Sequence, residues 1–210
     1  MTGPSAELVP DSTGPRVLSV GTAGGITSGF DGLPDGGGLV RLGDDILSID
    51  EEQYRLWDSG LLAPKMSALL QWAAHAGIDR PDEQLRELLT DHLMVEQARD
   101  PDELLRQAAA HAVRFIGYFI GNGPSRSPRF LVKAGAEASS VLAIDVVLYQ
   151  FLLRADGTVP IAELCARLDI DGMPDDVDPA RHVMEQLPVL LRAGVIGLEP
   201  HITDEQMEAL

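Results

Sequence analysis

The single cysteine and the five histidines are the residues best suited to chemistry, and their surroundings argue against catalysis. Cys165 lies in the run Ala162 to Ala166, whose apolar spacing predicts a buried helix face; a reactive thiol is the alternative. No two histidines stand four residues apart, as a helical metal site would require. The histidines are His75, His92, His111, His182 and His201. We therefore expect no catalytic residue, no metal and no cofactor, and we interpret the chain as non-enzymatic.

Two further sequence patterns are candidates for ligand binding. Val17 to Gly25 has the character of a strand entering a phosphate loop, but it lacks the Lys-Ser/Thr of a P-loop and the glycine spacing of a dinucleotide site. With the glycines that follow, it predicts a flexible or hairpin-rich segment over residues 1–37. The acids between Asp175 and Asp178 lack the regular ligand spacing of a calcium loop, so we interpret them as solvated.

The charge of the chain narrows the class of partner. Lys and Arg number 16 against 33 Asp and Glu, which leaves a net charge of −17. Because DNA binding depends largely on Lys and Arg at phosphates, this balance favours a protein or peptide partner over nucleic acid. The alternative is that the charge serves solubility alone. No apolar run approaches the roughly 18 residues of a membrane span and no signal peptide precedes residue 15, so a cytoplasmic location without membrane contact is predicted.

An internal repeat appears when the chain is laid on itself with a shift of 95 positions. The coincident residues are Ile46 to Asp50 with Val141 to Asp145, Tyr54 with Tyr149, Leu69 with Leu164, and Gly77 with Gly172. Further along, seven extra residues in the second copy bring Leu85, Leu88 and Leu89 onto Leu187, Leu190 and Leu191. So many matches in order indicate a duplicated structural unit.

Each copy predicts a strand, three helices and a final strand. Asp50 and Asp145 follow the first strand and are suited to cap a helix, and Asp178 before Pro179 is a further helix start. The predicted helices span about 50–60, 65–75 and 82–90 in the first copy, and 146–154, 161–168 and 179–193 in the second. The copies occupy residues 38–97 and 125–200, with a tail at 201–210.

A linker helix is predicted between the copies, over residues 98–124. Asp100 and Pro101 form its start, and Phe115 to Ile120 is apolar nearly all round. We expect this helix to lie between the two units and join them. A homodimer formed through the same apolar surface is the alternative.

The second copy resembles the winged helix-turn-helix superfamily. The resemblance lies in Thr158 to Leu164, which opens one helix, and in Leu187 to Ile196, which closes another into a wing. It covers about residues 129–199 and, less sharply, 38–96. It implies a mainly α protein with small β-sheets, an α+β fold of two winged-helix-like units joined by a helix, and it does not imply a function.

A second resemblance bears on function. The strand-helix-helix-helix order with an Ile-Asp junction is similar to PqqD-type peptide-recognition domains, in which a leader peptide adds as a strand to the small sheet. That resemblance implies a peptide-binding adaptor, such as an accessory factor of a biosynthetic or peptide-maturation pathway. The implied edge strand is Ile46 to Ile49, with Leu47 and Ile49, or Val141 to Ile144. The implied groove residues are Leu85, Leu88 and Leu89.

One group of basic residues departs from the overall acidity. Arg126, Arg129 and Lys133, with Arg106 and Arg114 upstream, could accept an acidic peptide, a phosphate or nucleic acid. The alternative is that they neutralise neighbouring acids. A winged-helix DNA-binding transcription regulator is the competing hypothesis, although both predicted third helices mix basic and acidic residues where a DNA reader would be basic.

Overall fold

The computed structural model describes residues 14–26, 37–122, 130–135, 138, 141–170 and 177–201. Within these residues the chain forms seven helices and four small antiparallel sheets, which confirms the predicted α+β class. The first eight elements are β1 (Arg16–Ser19), β2 (Thr22–Ile26), β3 (Gly38–Leu42), β4 (Asp45–Ile49), α1 (Glu51–Gly60), α2 (Met66–His75), α3 (Pro81–Thr90) and β5 (Met94–Gln97). We call β1 to β5 the first unit.

A short helix leads into the second half of the chain. The elements are α4 (Pro101–Ala110), β6 (His111–Phe115), β7 (Tyr118–Asn122), β8 (Phe130–Lys133), β9 (Leu142–Ile144), α5 (Val146–Leu152), β10 (Asp156–Pro160), α6 (Ile161–Ala166), α7 (Pro179–Arg192) and β11 (Ile196–Pro200). We call β6 to β11 the second unit. The predicted tail lies outside the described residues from position 202 onward.

The two units share one sheet plan. In the first unit β1 pairs with β5 and a second sheet has the order β2-β3-β4; in the second unit β6 pairs with β11 and a second sheet has the order β7-β8-β9. The strand β10 adds to β6, where the first unit has a single bridge between Arg16 and Lys65. β2 and β7 each carry a register irregularity, next to Gly25 and Gly121, whose φ angles of 110° and 136° suit glycine.

The predicted flexible segment at residues 1–37 is wrong for residues 16–26. The strand β1 lies between two cores, because Val17 packs into the core of the first unit and Leu18 into that of the second. Burial on both faces explains its continuous apolar run. Trp57 Nε1 donates to the carbonyl of Val20 at 2.9 Å, which anchors the end of the segment. Gly24 and Gly25 lie in β2 and Gly38 begins β3, whereas Gly29, Gly32 and Gly36 lie outside the described residues.

The predicted linker helix is also wrong beyond Ala110. The side chain of Asp100 caps α4 as expected, but from His111 the backbone is extended and pairs with β11. The run Phe115 to Ile120 belongs to β6, a short connection and β7. Local periodicity could not reveal this, because the partner strand lies some 85 residues away along the chain. α4 packs mainly on α6 and α7 of the second half, and its Gln107 side chain also contacts the first unit, since its Nε2 donates to the carbonyl of Glu96 at 2.6 Å.

The units are joined by a shared core and by polar contacts. Leu18, Val20 and Ala63 of the first unit are buried in the core of the second, whereas the other core contains first-unit residues alone. Gln97 Nε2 donates to the carbonyl of Met184 at 2.8 Å. The two units therefore pack as one body, with β1 as the element common to both cores.

The predicted helix caps and the buried thiol are confirmed. The carboxylates of Asp50, Asp145 and Asp178 accept from backbone N–H groups at the starts of α1, α5 and α7. Cys165 is buried on α6, and this burial raises the pKa of its thiol to about 12. A thiol in that state is a poor nucleophile.

Candidate functional site

The outer edge of β4 is the most accessible apolar feature on the first unit. β4 is an edge strand whose partner in the described part of the chain is β3. In their register Val40 stands opposite Leu47, so both side chains lie on the face of the sheet that covers the helices. Val40 is fully buried there, yet Leu47 is 40% exposed, and Ile46 on the other face is 63% exposed. An edge strand with exposed apolar side chains is a template for strand pairing.

The sheet is held in place beneath this edge by α1. Gly38 opposes the buried Ile49 at the far end of the strand pair, and a side chain at Gly38 would collide with the ring of Tyr54. The ring of Tyr54 stacks on that of Trp57, which is fully buried. Partial burial and the nearby Asp58 carboxylate raise the pKa of Tyr54, so its phenol is neutral at physiological pH. The close contact between Gly38 and Tyr54 therefore holds the β3–β4 strand pair against α1.

The structure corrects three of the five predicted apolar contact residues. Ile49, Leu85 and Leu88 are buried in the core of the first unit, so their side chains are unavailable to a partner. Leu89 packs against that core but is only partly buried. Leu47 on β4 and Leu89 on α3 are thus the predicted residues that are accessible in the folded chain. The correction arises because sequence periodicity identifies an apolar face without showing which of its residues the core already covers.

The equivalent edge of the second unit is more closed. By the repeat, Leu142 corresponds to Leu47 and Leu191 to Leu89; Leu142 packs against the core as a partly buried residue and Leu191 is buried. His182 Nε2 lies 2.7 Å from Asp145 Oδ2 and ties α7 to the start of α5, directly after β9. The first unit therefore keeps an opening that the second has largely filled.

The exposed surface of α3 in the first unit is predominantly acidic. A shallow surface hollow of about 320 Å³ is lined by Glu83, Arg86, Glu87, Thr90 and Asp91. Gln53 Nε2 donates to Glu87 Oε2 at 3.0 Å, which links α1 to α3. A ligand on this surface of α3 would meet net negative charge, and a basic segment would be attracted to it.

The predicted basic patch is not assembled within the described residues. Arg126 and Arg129 lie outside them, and Lys133 is a partly buried residue of β8 opposite Tyr118. Arg106 forms an ion pair with Glu103 on its own helix, whereas Arg114 pairs with Glu199 at 3.1 Å. Arg106 and Arg114 thus have separate surroundings.

Sequence reasoning missed a different basic grouping. Arg41 of β3, Arg114 of β6 and Arg192 of α7 line one cleft between the two units. They are spread over most of the chain, and two of them lie on strands that the sequence did not predict. The outward position of Arg41, next to the buried Val40 in a strand, is the one local signal available.

No protein-family description, curated protein or solved structure matches this chain. Across the described residues, none of the helices is both long and apolar enough to cross a membrane. In the same residues, no three His, Cys, Asp or Glu side chains come together as a metal site.

Proposed function

We propose that this protein is a non-catalytic adaptor that binds an extended peptide or protein segment at the edge of β4. The observation that carries the proposal is that Leu47, on the helix-facing side of the sheet, is 40% exposed, whereas the equivalent Leu142 is partly buried. A segment added beside β4 would form main-chain hydrogen bonds with the free strand edge, and its alternate side chains would face the helices.

The exposed side chains of β4 and α3 indicate which peptide sequences would bind. Leu47 and Leu89 offer apolar surface from the strand and the helix, which suits apolar side chains at every second position. The acids Glu83, Glu87 and Asp91 lie on the exposed side of α3. A peptide with alternating apolar residues and flanking Lys or Arg therefore complements both features. This agrees with the resemblance to peptide-recognition domains noted from the sequence.

A DNA-binding regulator is less well supported by the described surface. The third helix of the first unit, α3, presents more carboxylates than guanidinium groups. On α7, Arg181 pairs with Glu185 at 2.9 Å, and Arg192 Nε donates to the carbonyl of Leu62 at 3.1 Å. Arg181 is therefore engaged by a neighbouring acid, whereas a DNA-reading helix presents such side chains to base edges and phosphates.

The test is selection from a displayed library of random peptides of about ten residues, long enough to span a strand. We expect enrichment of basic peptides with apolar residues in alternation. The Leu47→Glu variant should bind them at least about tenfold more weakly, because it replaces an apolar contact with a charge. Ile120→Glu is the matched control, since Ile120 is similarly exposed on β7 of the second unit. It should bind like the unmodified chain.

Hydrogen exchange on the selected complex locates the contact. Strand addition should slow exchange of amides in Asp45–Ile49 and leave β9 unchanged. Binding that survives Leu47→Glu, or protection confined to another surface, would overturn the proposal. So would selective retention of nucleic acid that is lost steeply as salt rises, which would favour the regulator.

A further inference from the structure

A cleft of about 520 Å³ lies between the two units and is separate from the β4 edge. Its apolar wall comes from Leu61 and Leu62 of the first unit and from Ile116, Leu191 and Ile196 of the second. Leu62 and Ile116 are among the more exposed large apolar side chains of the protein. The volume and the apolar lining are in the range of small-molecule sites.

Three guanidinium groups border this wall in a chain whose net charge is −17. Arg114 is the one of the three that forms an ion pair in the described part of the chain, with the fully buried Glu199. Glu199 also accepts a hydrogen bond from Gly43 N at 2.8 Å, so its second oxygen is already used. The carboxylates beside Arg114 are those of Glu199 and Asp156. Arg41 and Arg192 form no ion pair within the described residues, so the cleft lining carries an excess of positive charge.

Arg41 is the least satisfied of the three. Its Nε is buried, and no described residue accepts a hydrogen bond from it. Arg192 makes its hydrogen bond to a neutral carbonyl, that of Leu62. A buried donor without an acceptor is costly, and a guanidinium group is geometrically suited to the paired oxygens of a carboxylate or phosphate. An anionic group in the cleft would offset the positive charge of Arg41 and Arg192.

We infer that this cleft binds an organic anion, in which a carboxylate or phosphate group contacts Arg41 and Arg192 and a hydrocarbon portion lies on the apolar wall. The inference is independent of the peptide proposal. Val40 and Arg41 are neighbours on β3 and face opposite sides of the sheet, so the cleft lies on the side away from Leu47. Loss of one binding activity therefore does not imply loss of the other.

The test is calorimetric titration of the full chain with decanoate, decyl phosphate, 1-decanol and decylammonium, which share one tail and differ in the head group. We expect saturable binding of one anionic ligand per chain, and binding of the neutral and cationic ligands that is at least about tenfold weaker. The two anions distinguish the sources of the head group. Tighter binding of decyl phosphate would identify a phosphate ligand, and tighter binding of decanoate a carboxylate.

Substitutions locate the site. Arg41→Gln and Arg192→Gln should each weaken binding of the preferred anion at least about tenfold. Arg86→Gln, an exposed arginine on α3, should leave it unchanged. Fluorescence of Trp57 and Trp72 checks folding, and the exposed Arg192 provides the test if Arg41→Gln disturbs the sheet. Equal binding of decanol and the anions, binding without saturation, or indifference to Arg192→Gln would overturn the inference.

Discussion

The two units have nearly the same order of elements and differ in how far their equivalent apolar side chains are buried. The first leaves Leu47 and Leu89 accessible, whereas the second partly or fully buries Leu142 and Leu191. The second also has a longer final helix and the additional strand β10. Two copies of one unit can thus differ in function, with one contributing stability and the other exposing apolar side chains for binding. The difference lies in the burial of equivalent side chains, since the order of elements is nearly unchanged.

The cores of the two units differ in a second way. The first-unit core is formed by first-unit residues, but the second-unit core also contains Leu18, Val20 and Ala63. Two consecutive residues of β1, Val17 and Leu18, enter different cores. Neither unit can therefore unfold without disturbing β1, so the two should lose structure together.

Matched core truncations give the largest expected effect. Leu88→Ala and Leu190→Ala remove equivalent buried side chains from the two cores, and each should lower the free energy of unfolding by about 3 kcal/mol. Urea titration can follow each unit separately: fluorescence of Trp57 and Trp72 reports on the first, and reaction of the Cys165 thiol reports on the second. Both probes should give one midpoint in the unmodified chain and in each variant.

Different urea midpoints for fluorescence and for thiol reaction would contradict the prediction that the two units unfold together. Thiol reaction at a lower urea concentration than the fluorescence change would mean that the second unit opens alone. Fluorescence change before thiol reaction would mean the reverse. Either result would contradict the shared-core account, because a strand common to both cores cannot be released from only one.

An intermediate effect is expected where the repeat places one residue of each unit at the contact between them. Glu199 and Gln97 occupy equivalent positions on β11 and β5: Glu199 is buried and pairs with Arg114, whereas Gln97 makes a neutral hydrogen bond to Met184. Glu199→Ala leaves a partly buried guanidinium without its carboxylate and should cost about 2 kcal/mol, because Arg114 keeps some contact with solvent. Gln97→Ala should cost about 1 kcal/mol.

Urea unfolding of the two variants, side by side, measures the difference. Equal costs would show that the ion pair adds nothing beyond an ordinary hydrogen bond. The result also bears on the cleft, because removal of Glu199 leaves its arginines without their one ion-pair partner in the described residues.

The helical half of each unit could be predicted from the sequence because its signals are local. Asp50, Asp145 and Asp178 mark the helix starts, and the apolar spacing follows the helical period, so the observed bounds lie close to those expected. The strands β1, β2, β6 and β7 could not be predicted in this way. β1 and β6 pair with strands far along the chain. β2 and β7 pair with the next strand, but glycine at a strand irregularity has the same appearance in a sequence as glycine in a flexible loop.

The sequence predicted the location of the candidate site but not which of its side chains are accessible, for a related reason. The repeat identified the β4 edge and the α3 positions, but it could not distinguish Leu85 and Leu88, which the core covers, from Leu89, which it leaves partly open. The cleft was beyond sequence analysis, since Arg41, Arg114 and Arg192 come together only when the two units pack. Side-chain cover is a tertiary property, and local patterns do not encode it.

The smallest expected effect concerns the residue that ends the third helix of each unit. His92 follows α3 with a φ of 57°, and its equivalent, Gly194, follows α7 with a φ of 66°. A left-handed backbone at this position suits glycine, so the first unit carries strain that the second avoids. Because His92 is exposed, His92→Gly should raise the free energy of unfolding by about 1 kcal/mol, and Gly194→Ala should lower it by a similar amount. Urea midpoints of the two variants measure both signs, and a loss of stability in His92→Gly would mean that the imidazole makes a contact worth more than the backbone strain.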